Sequence, residues 1–150
     1  MTIAVRTATL SDIDRVAPLF DAYRGFYGQT SDLPRSRDWL QQRLSHNEAT
    51  MLWAECDDTA VGFTLLYPSW SSVSTGPVLV LNDLYVEASA RRRGVALALL
   101  RAAEEHGRSQ GVLRLSLETA RDNHAAQALY GRAGWTADAT QWFHVPLAAH

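Results

Sequence analysis

The sequence predicts an α/β domain in which a mixed, mostly antiparallel central sheet of about seven strands carries about four helices. Apolar residues alternate in several short runs and recur at helical spacing in others, giving the order β-α-α-β-β-β-α-β-α-β-β. The 150 residues, 47% of them apolar, suit one domain with a real core, read as 1–150. No internal repeat, low-complexity run or linker-like shift in composition divides the chain.

"TIAVRTA" opens the chain as a short alternating strand. "TLSDIDRVAPLFDAYRGFYG" then sets Ile13, Val16, Ala17, Phe20 and Tyr23 at helical spacing, with Thr9 and Asp12 placed to cap the helix. Pro18 inside that pattern predicts a kink or a later helix start. A shorter helix is expected after Pro34, through Trp39, Leu40, Arg43 and Leu44. "TMLWAEC" and "AVGFTLLYP" read as strands joined in a hairpin at Asp57, Asp58 and Thr59, and "SWSSVSTG" as a polar loop. "PVLVLNDLYV" carries the strongest strand pattern, interrupted at Asn82 and Asp83, whose residue types disfavour a continuous strand. A helix follows Gly94 and reaches about Gln110, with Gly111 as its C-terminal cap. "VLRLSLETA" is a strand, "NHAAQALYGRAG" a helix ending near Gly134, and "WTADATQWFHVPL" a final hairpin.

A formal charge of −2, from 14 basic and 16 acidic residues, supplies no global field for nucleic acid or an anionic membrane. Cys56 stands alone, which excludes an internal disulfide and fits a reducing cytoplasm. The five histidines lack metal-ligand spacing, so no metal is expected, and no apolar run approaches the ~20 residues that cross a bilayer.

Against that charge balance, "ARRRGVALALL" gathers Arg91, Arg92 and Arg93 just before a helix whose Val95, Leu99 and Ala102 share an apolar face. A helix N-terminus offers unpaired N–H groups and the positive end of the macrodipole, both favourable to phosphate. Gly94 permits close backbone approach, and the small Ala96 leaves the amides uncovered. The arginines alone read equally well as a solvated basic loop. The interrupted strand before them and the buried helix after them favour an anion cradle.

Arg91-Arg92-Arg93-Gly94-Val95-Ala96 resembles the acetyl-CoA motif of the GCN5-related N-acetyltransferase (GNAT) superfamily. "NHAAQALYGRAGW" is similar to its second motif through Asn123, Ala126, Tyr130, Gly134 and Trp135. The resemblance implies a V-shaped opening between "LNDLYV" and "LRLSLET" that takes acetyl-CoA. Pantetheine would pair with backbone of Leu84, Tyr85 and Val86, and the pyrophosphate with amides from Arg92 through Gly94, Val95 and Ala96 to Leu97. Arg91 and Arg92 are the implied side-chain phosphate contacts, Arg93 being either a further contact or solvated. Asn123 would orient the cofactor or cap its helix, and Asn82-Asp83 would hold the strand irregularity of the family.

Acetyl transfer to an amine needs a neutral nucleophile, a polarised thioester carbonyl and a proton for the departing thiolate. Tyr130 matches the family tyrosine beside the sulfur and is the expected general acid, although its helical face also reads as core. A backbone N–H near Tyr85 or Val86 would polarise the carbonyl. Asp83 and Glu118 are rival candidates for the base. "FYGQTSD" and "VLNDLYV" resemble the polyamine, diamine, thialysine and yeast histone/polyamine-type branch, which implies a small primary amine as acceptor. Asn82 stands where the spermidine/spermine relatives place their proposed base, a departure from that branch. Phe26, Tyr27, Asp32, Trp70 and Asn82 are the candidate acceptor contacts, aromatics and a carboxylate suiting a cation. A free amino acid, a protein lysine or N-terminus, and an aminoglycoside are the alternative acceptors, and a non-catalytic CoA-binding sensor is the alternative of another class. Relatives in this branch often dimerise, so a homodimer using Trp142 and Phe143 is expected.

Overall fold

A computed structural model describes residues 2–148. Internal packing divides the chain after Glu118 into two compact units.

The first unit begins with β1 (Ile3–Thr7) and a 3-10 turn at Leu10–Asp12. The Thr9 N–H donates to Asp12 Oδ2 at 2.8 Å, the cap read from the sequence. Helix α1 (Ile13–Phe26) then runs through Pro18 without a break. Helix α2 (Leu33–Ser45) starts on Asp32, whose side chain accepts the Arg35 N–H. Strands β2 (Thr50–Cys56), β3 (Thr59–Ser71) and β4 (Gly76–Val86) form a meander. Helix α3 (Val95–Ser109) leads to the short β5 (Leu115–Ser116).

Sheet order is β1-β2-β3-β4-β5, antiparallel except for β4 with β5. One face buries Ile13, Val16 and Phe20 of α1 and Leu40 of α2 against Met51, Trp53, Phe63 and Leu65. The opposite face takes α3, whose Val95, Leu99, Leu100 and Ala103 are all buried. There the backbones come very close. A Cβ on Gly62 would lie 2.9 Å from the Tyr85 carbonyl oxygen, 3.2 Å from Val95 Cγ1 and 3.3 Å from Leu99 Cδ1.

The β3–β4 ladder carries an irregularity where the sequence places one. Leu65 pairs with Asp83 and Leu66 with Leu81, so Asn82 is the extra residue of a bulge. β5 pairs only with Leu79 and Val80, so from Leu81 to Val86 the β5 side of β4 has no strand partner among the described residues.

The second unit holds α4 (His124–Arg132), capped by Asn123, whose side chain accepts the Ala126 N–H at 3.2 Å. Gln127 Nε2 donates to the carbonyls of Ala120 and Arg121 at 3.1 and 2.9 Å, tying the helix to the segment before it. Gly134, at φ +92°, turns the chain after the helix.

Three expectations need correction. The described sheet has five strands, not about seven, because residues 135–148 form no strand. Trp142 and Phe143, in the expected hairpin, are 86% and 89% exposed, and two strands without a third strand or a packed face are marginal in water. "VLRLSLETA" contributes only Leu115–Ser116 as strand. Conversely β3 continues to Ser71, so Trp70 lies on a strand opposite Pro77 rather than in a loop.

Candidate active site

The arginine run sits where the open end of β4 turns into α3. Gly94 is left-handed, at φ +85°, and no heavy atom lies within 4 Å of where its Cβ would be. The first helical bond of α3 runs from the Ala98 N–H to the Gly94 carbonyl at 3.0 Å. The N–H groups of Gly94, Val95, Ala96 and Leu97 therefore have no helical acceptor, and they form the positive end of a fifteen-residue helix. Val95 is buried and anchors this turn, while Ala96 is half-buried and Leu97 exposed.

Within the run the arginines differ. Arg92 is left-handed at φ +62°, and both it and Arg93 are exposed. Arg91 Nε instead donates to the Val86 carbonyl at 2.8 Å. Its guanidinium lies 5.7 Å from the Phe26 ring centroid and 5.8 Å from that of Tyr85, so it braces the end of β4.

On the other face of β4, Asp83 lies at a polar centre. It is 9% exposed, takes a hydrogen bond from the Tyr23 hydroxyl at 2.6 Å on Oδ1, and takes a second from Asn82 Nδ2 at 3.0 Å on Oδ2. Asp83, Tyr23 and Tyr67 line a cavity of about 310 Å³ together with Phe20, Arg24, Arg35 and Trp39. Burial, then the hydrogen bond to Asp83 and its charge, raises the Tyr23 hydroxyl far above the usual phenol range. Burial and the Asp83 charge likewise push Tyr67 up to about 12. Both phenols are therefore neutral donors at physiological pH.

Other sequence candidates take separate places. Phe26 and Tyr27 are exposed at the end of α1, Phe26 6.3 Å from Tyr85 and Tyr27 edge-on to Tyr23 at 5.1 Å between centroids. Asp32 is occupied as the α2 cap, and neither it nor Trp70 lines the Asp83 cavity. Glu118 is exposed, two residues beyond β5. In the second unit Tyr130 is half-buried on α4, its ring 6.3 Å from that of Trp135 and its carbonyl accepting the Trp135 N–H at 2.9 Å.

Sequence reasoning missed Tyr23, Arg24, Arg35, Trp39 and Tyr67 as a group. Phe20, Tyr23 and Arg24 lie at i, i+3 and i+4, so the signal available was an arginine set into an otherwise apolar helical face.

A family model for the acetyltransferase (GNAT) family matches residues 14–135. The chain belongs to that family. It is 41% identical over 134 residues to the uncharacterized N-acetyltransferase YhfO of Bacillus subtilis (strain 168), covering 89% of this chain and 90% of that one. The fold matches the crystal structure of a probable acetyltransferase with a TM-score of 0.92 and 38% identity, over 98% of this chain and 99% of that chain. An aminoglycoside N-acetyltransferase, AAC(6')-Iy, solved in complex with CoA, shares the fold with a TM-score of 0.81 at 19% identity, over 98% of this chain and 96% of that one.

The GNAT chain is thus an acetyl-transferring enzyme that uses acetyl-CoA. Its residues fit that group, because four backbone donors and an open Gly94 at a firmly packed helix start suit a pyrophosphate. When bound, acetyl-CoA supplies the activated acetyl thioester. No helix among the described residues is long and apolar enough to cross a membrane.

Proposed function

We propose that this GNAT enzyme acetylates a small primary amine bound beside Asp83, with Tyr130 as the general acid. The cavity around Asp83 carries the reading. It joins an anionic carboxylate, two neutral phenols and apolar walls on the face of β4 next to its unpaired stretch. An ammonium group hydrogen-bonds to Asp83, gives up its proton to that carboxylate directly or through water, and attacks as the neutral amine. Glu118, exposed beyond β5, is the alternative acceptor of that proton. The backbone of Leu84–Val86 holds the pantetheine arm, and the amides from Arg92 to Leu97 hold the pyrophosphate, aided by Arg92 and Arg93. Tyr130 returns a proton to the departing thiolate; support for this comes from its match to the second family motif, with Asn123 capping the same helix.

Resemblance to the polyamine and diamine branch supports the small-amine class. The family match spans residues of both units, which supports one catalytic domain. The lone, buried Cys56 supports a reducing cytoplasm. The exposed Trp142, Phe143, Val145 and Leu147 support a second copy of the chain as partner.

The test is thiol release from acetyl-CoA over a panel of polyamines, diamines, amino acids, a histone-tail peptide and an aminoglycoside, with products identified by mass spectrometry. Tyr130→Phe is expected to lower kcat about a hundredfold or more with the KM for acetyl-CoA little changed. Acceptance of the peptide alone would replace the small-amine reading by protein acetylation. Tight CoA binding without turnover of any acceptor would leave a sensor.

A further inference from the structure

The cavity beside Asp83 is lined by groups of both charges. Asp83 supplies the anion. Arg24 and Arg35 supply the cations, and Phe20 and Trp39 are apolar members of the same lining. Arg24 Nη1 is buried and has no hydrogen-bond partner, an arrangement that is costly for a charged donor unless an acceptor arrives. Asp21 is close enough to feel the charge of Arg24, yet no hydrogen bond or ion pair joins the two, and its oxygens accept from other donors. Oδ1 accepts from the Asp32 N–H and the Ser36 hydroxyl, and Oδ2 from the Ser31 hydroxyl. Arg35 forms no ion pair among the described residues. With Tyr23 and Tyr67 neutral, the cavity holds one anion and two cations.

From this we infer that the acceptor is an amino acid or another small zwitterion, its amine at Asp83 and its carboxylate on Arg24 and Arg35. The inference rests on the proposal that the acceptor amine binds beside Asp83, and it narrows the class. A guanidinium pair suits a carboxylate, which Arg recognises through paired N–H donors. It repels the second ammonium of a diamine or polyamine and the several ammonium groups of an aminoglycoside. A cavity of about 310 Å³ also matches an amino acid better than a linked-ring antibiotic.

The experiment compares matched pairs that differ only in the carboxylate: lysine with cadaverine, ornithine with putrescine, and L- and D-amino acids with their carboxamides. Both kcat/KM and the ligand-induced rise in Tm of the protein without acetyl-CoA are read. The carboxylate is expected to lower KM about ten- to a hundredfold, the range of a hydrogen-bonded charge, and to produce the larger Tm rise. In Arg24→Gln the KM ratio within each pair falls toward one, and Arg24→Lys restores part of it. Arg35→Gln, at an exposed position, gives a smaller loss in a variant that is not expected to disturb the core. Equal or better use of the decarboxylated partner overturns the zwitterion assignment and leaves acetylation of small amines standing. No turnover and no Tm rise with any member of the panel overturns both.

Discussion

Replacing Gly62 by alanine probes the seat of the cradle directly. The new Cβ would meet the Tyr85 carbonyl at 2.9 Å, and that oxygen is held in the ladder because Gly62 pairs with Val86 on one side and Ala54 on the other. The remaining neighbours, Val95 and Leu99, belong to the first two turns of α3 and are 1% and 0% exposed. The Tyr85 contact is relieved only by a small displacement between β3 and β4, and the Val95 and Leu99 contacts only by a shift of α3 by about 0.3–0.5 Å. Overpacking of this kind costs about 1–3 kcal/mol. At about 2–4 °C per kcal/mol for a chain of this size, the expected fall in Tm is about 2–12 °C. The same shift moves the N–H groups of Val95–Leu97, so the KM for acetyl-CoA rises severalfold while kcat at saturation changes less. Scanning calorimetry and initial rates over acetyl-CoA concentration are the assays. Gly25→Ala is the control, since nothing lies within 4 Å of its Cβ position and it sits inside α1. It should gain up to about 1 kcal/mol. An unchanged Tm and an unchanged KM for acetyl-CoA in Gly62→Ala would refute the idea that the sheet sets the position of the cradle.

Gly94→Ala should cost about 1–2 kcal/mol through its left-handed backbone and raise the KM for acetyl-CoA, read by the same two assays. Asp21→Asn tests the joint between α1 and α2: hydrogen bonds from the Ser31 hydroxyl, the Asp32 N–H and the Ser36 hydroxyl hold this carboxyl below its usual 3.8. Its stabilisation is complete above 3.8 and lost as pH falls through the lowered folded value, so the Tm gap between wild type and variant should be constant above about pH 5 and close in stronger acid. Light scattering at micromolar concentration should give twice the monomer mass of 16.6 kDa, with Trp142→Ser shifting it toward the monomer. A monomeric wild type would refute the dimer.

Local chemistry was readable in the chain. Thr9 and Asp12 announce the cap before α1, Gly94 the start of α3, and the Asn82-Asp83 pair the break in β4. Each depends on residues adjacent in sequence. The Asp83 cavity was not readable, because its walls come from α1, α2, β3 and β4 and meet only through packing. Tyr23 fitted the core pattern equally well, and its hydrogen bond spans sixty residues of chain. Arg91 looked identical to its neighbours in charge, and only the Val86 carbonyl and two rings within reach separate it from them. The terminal segment misled for the opposite reason. Its apolar alternation is genuine, but alternation predicts a strand only where a sheet edge or partner face is at hand.

The bulge at Asn82 also shifts the phase of β4. Val80 stands opposite Tyr67 on the α1 side of the sheet and Leu81 opposite Leu66 on the α3 side, yet Asp83 and Tyr85 stand opposite Leu65 and Phe63, again toward α1. Even-numbered side chains look toward α1 before the bulge and odd-numbered ones after it. Counted straight through, the period-two pattern would turn Asp83 toward α3, away from Tyr23 and the cavity. Deleting Asn82 would restore an unbroken alternation with every other side chain still on its present face. The strand is thus an ordinary strand with one residue spliced in, and that one residue is what returns Asp83 to the cavity side.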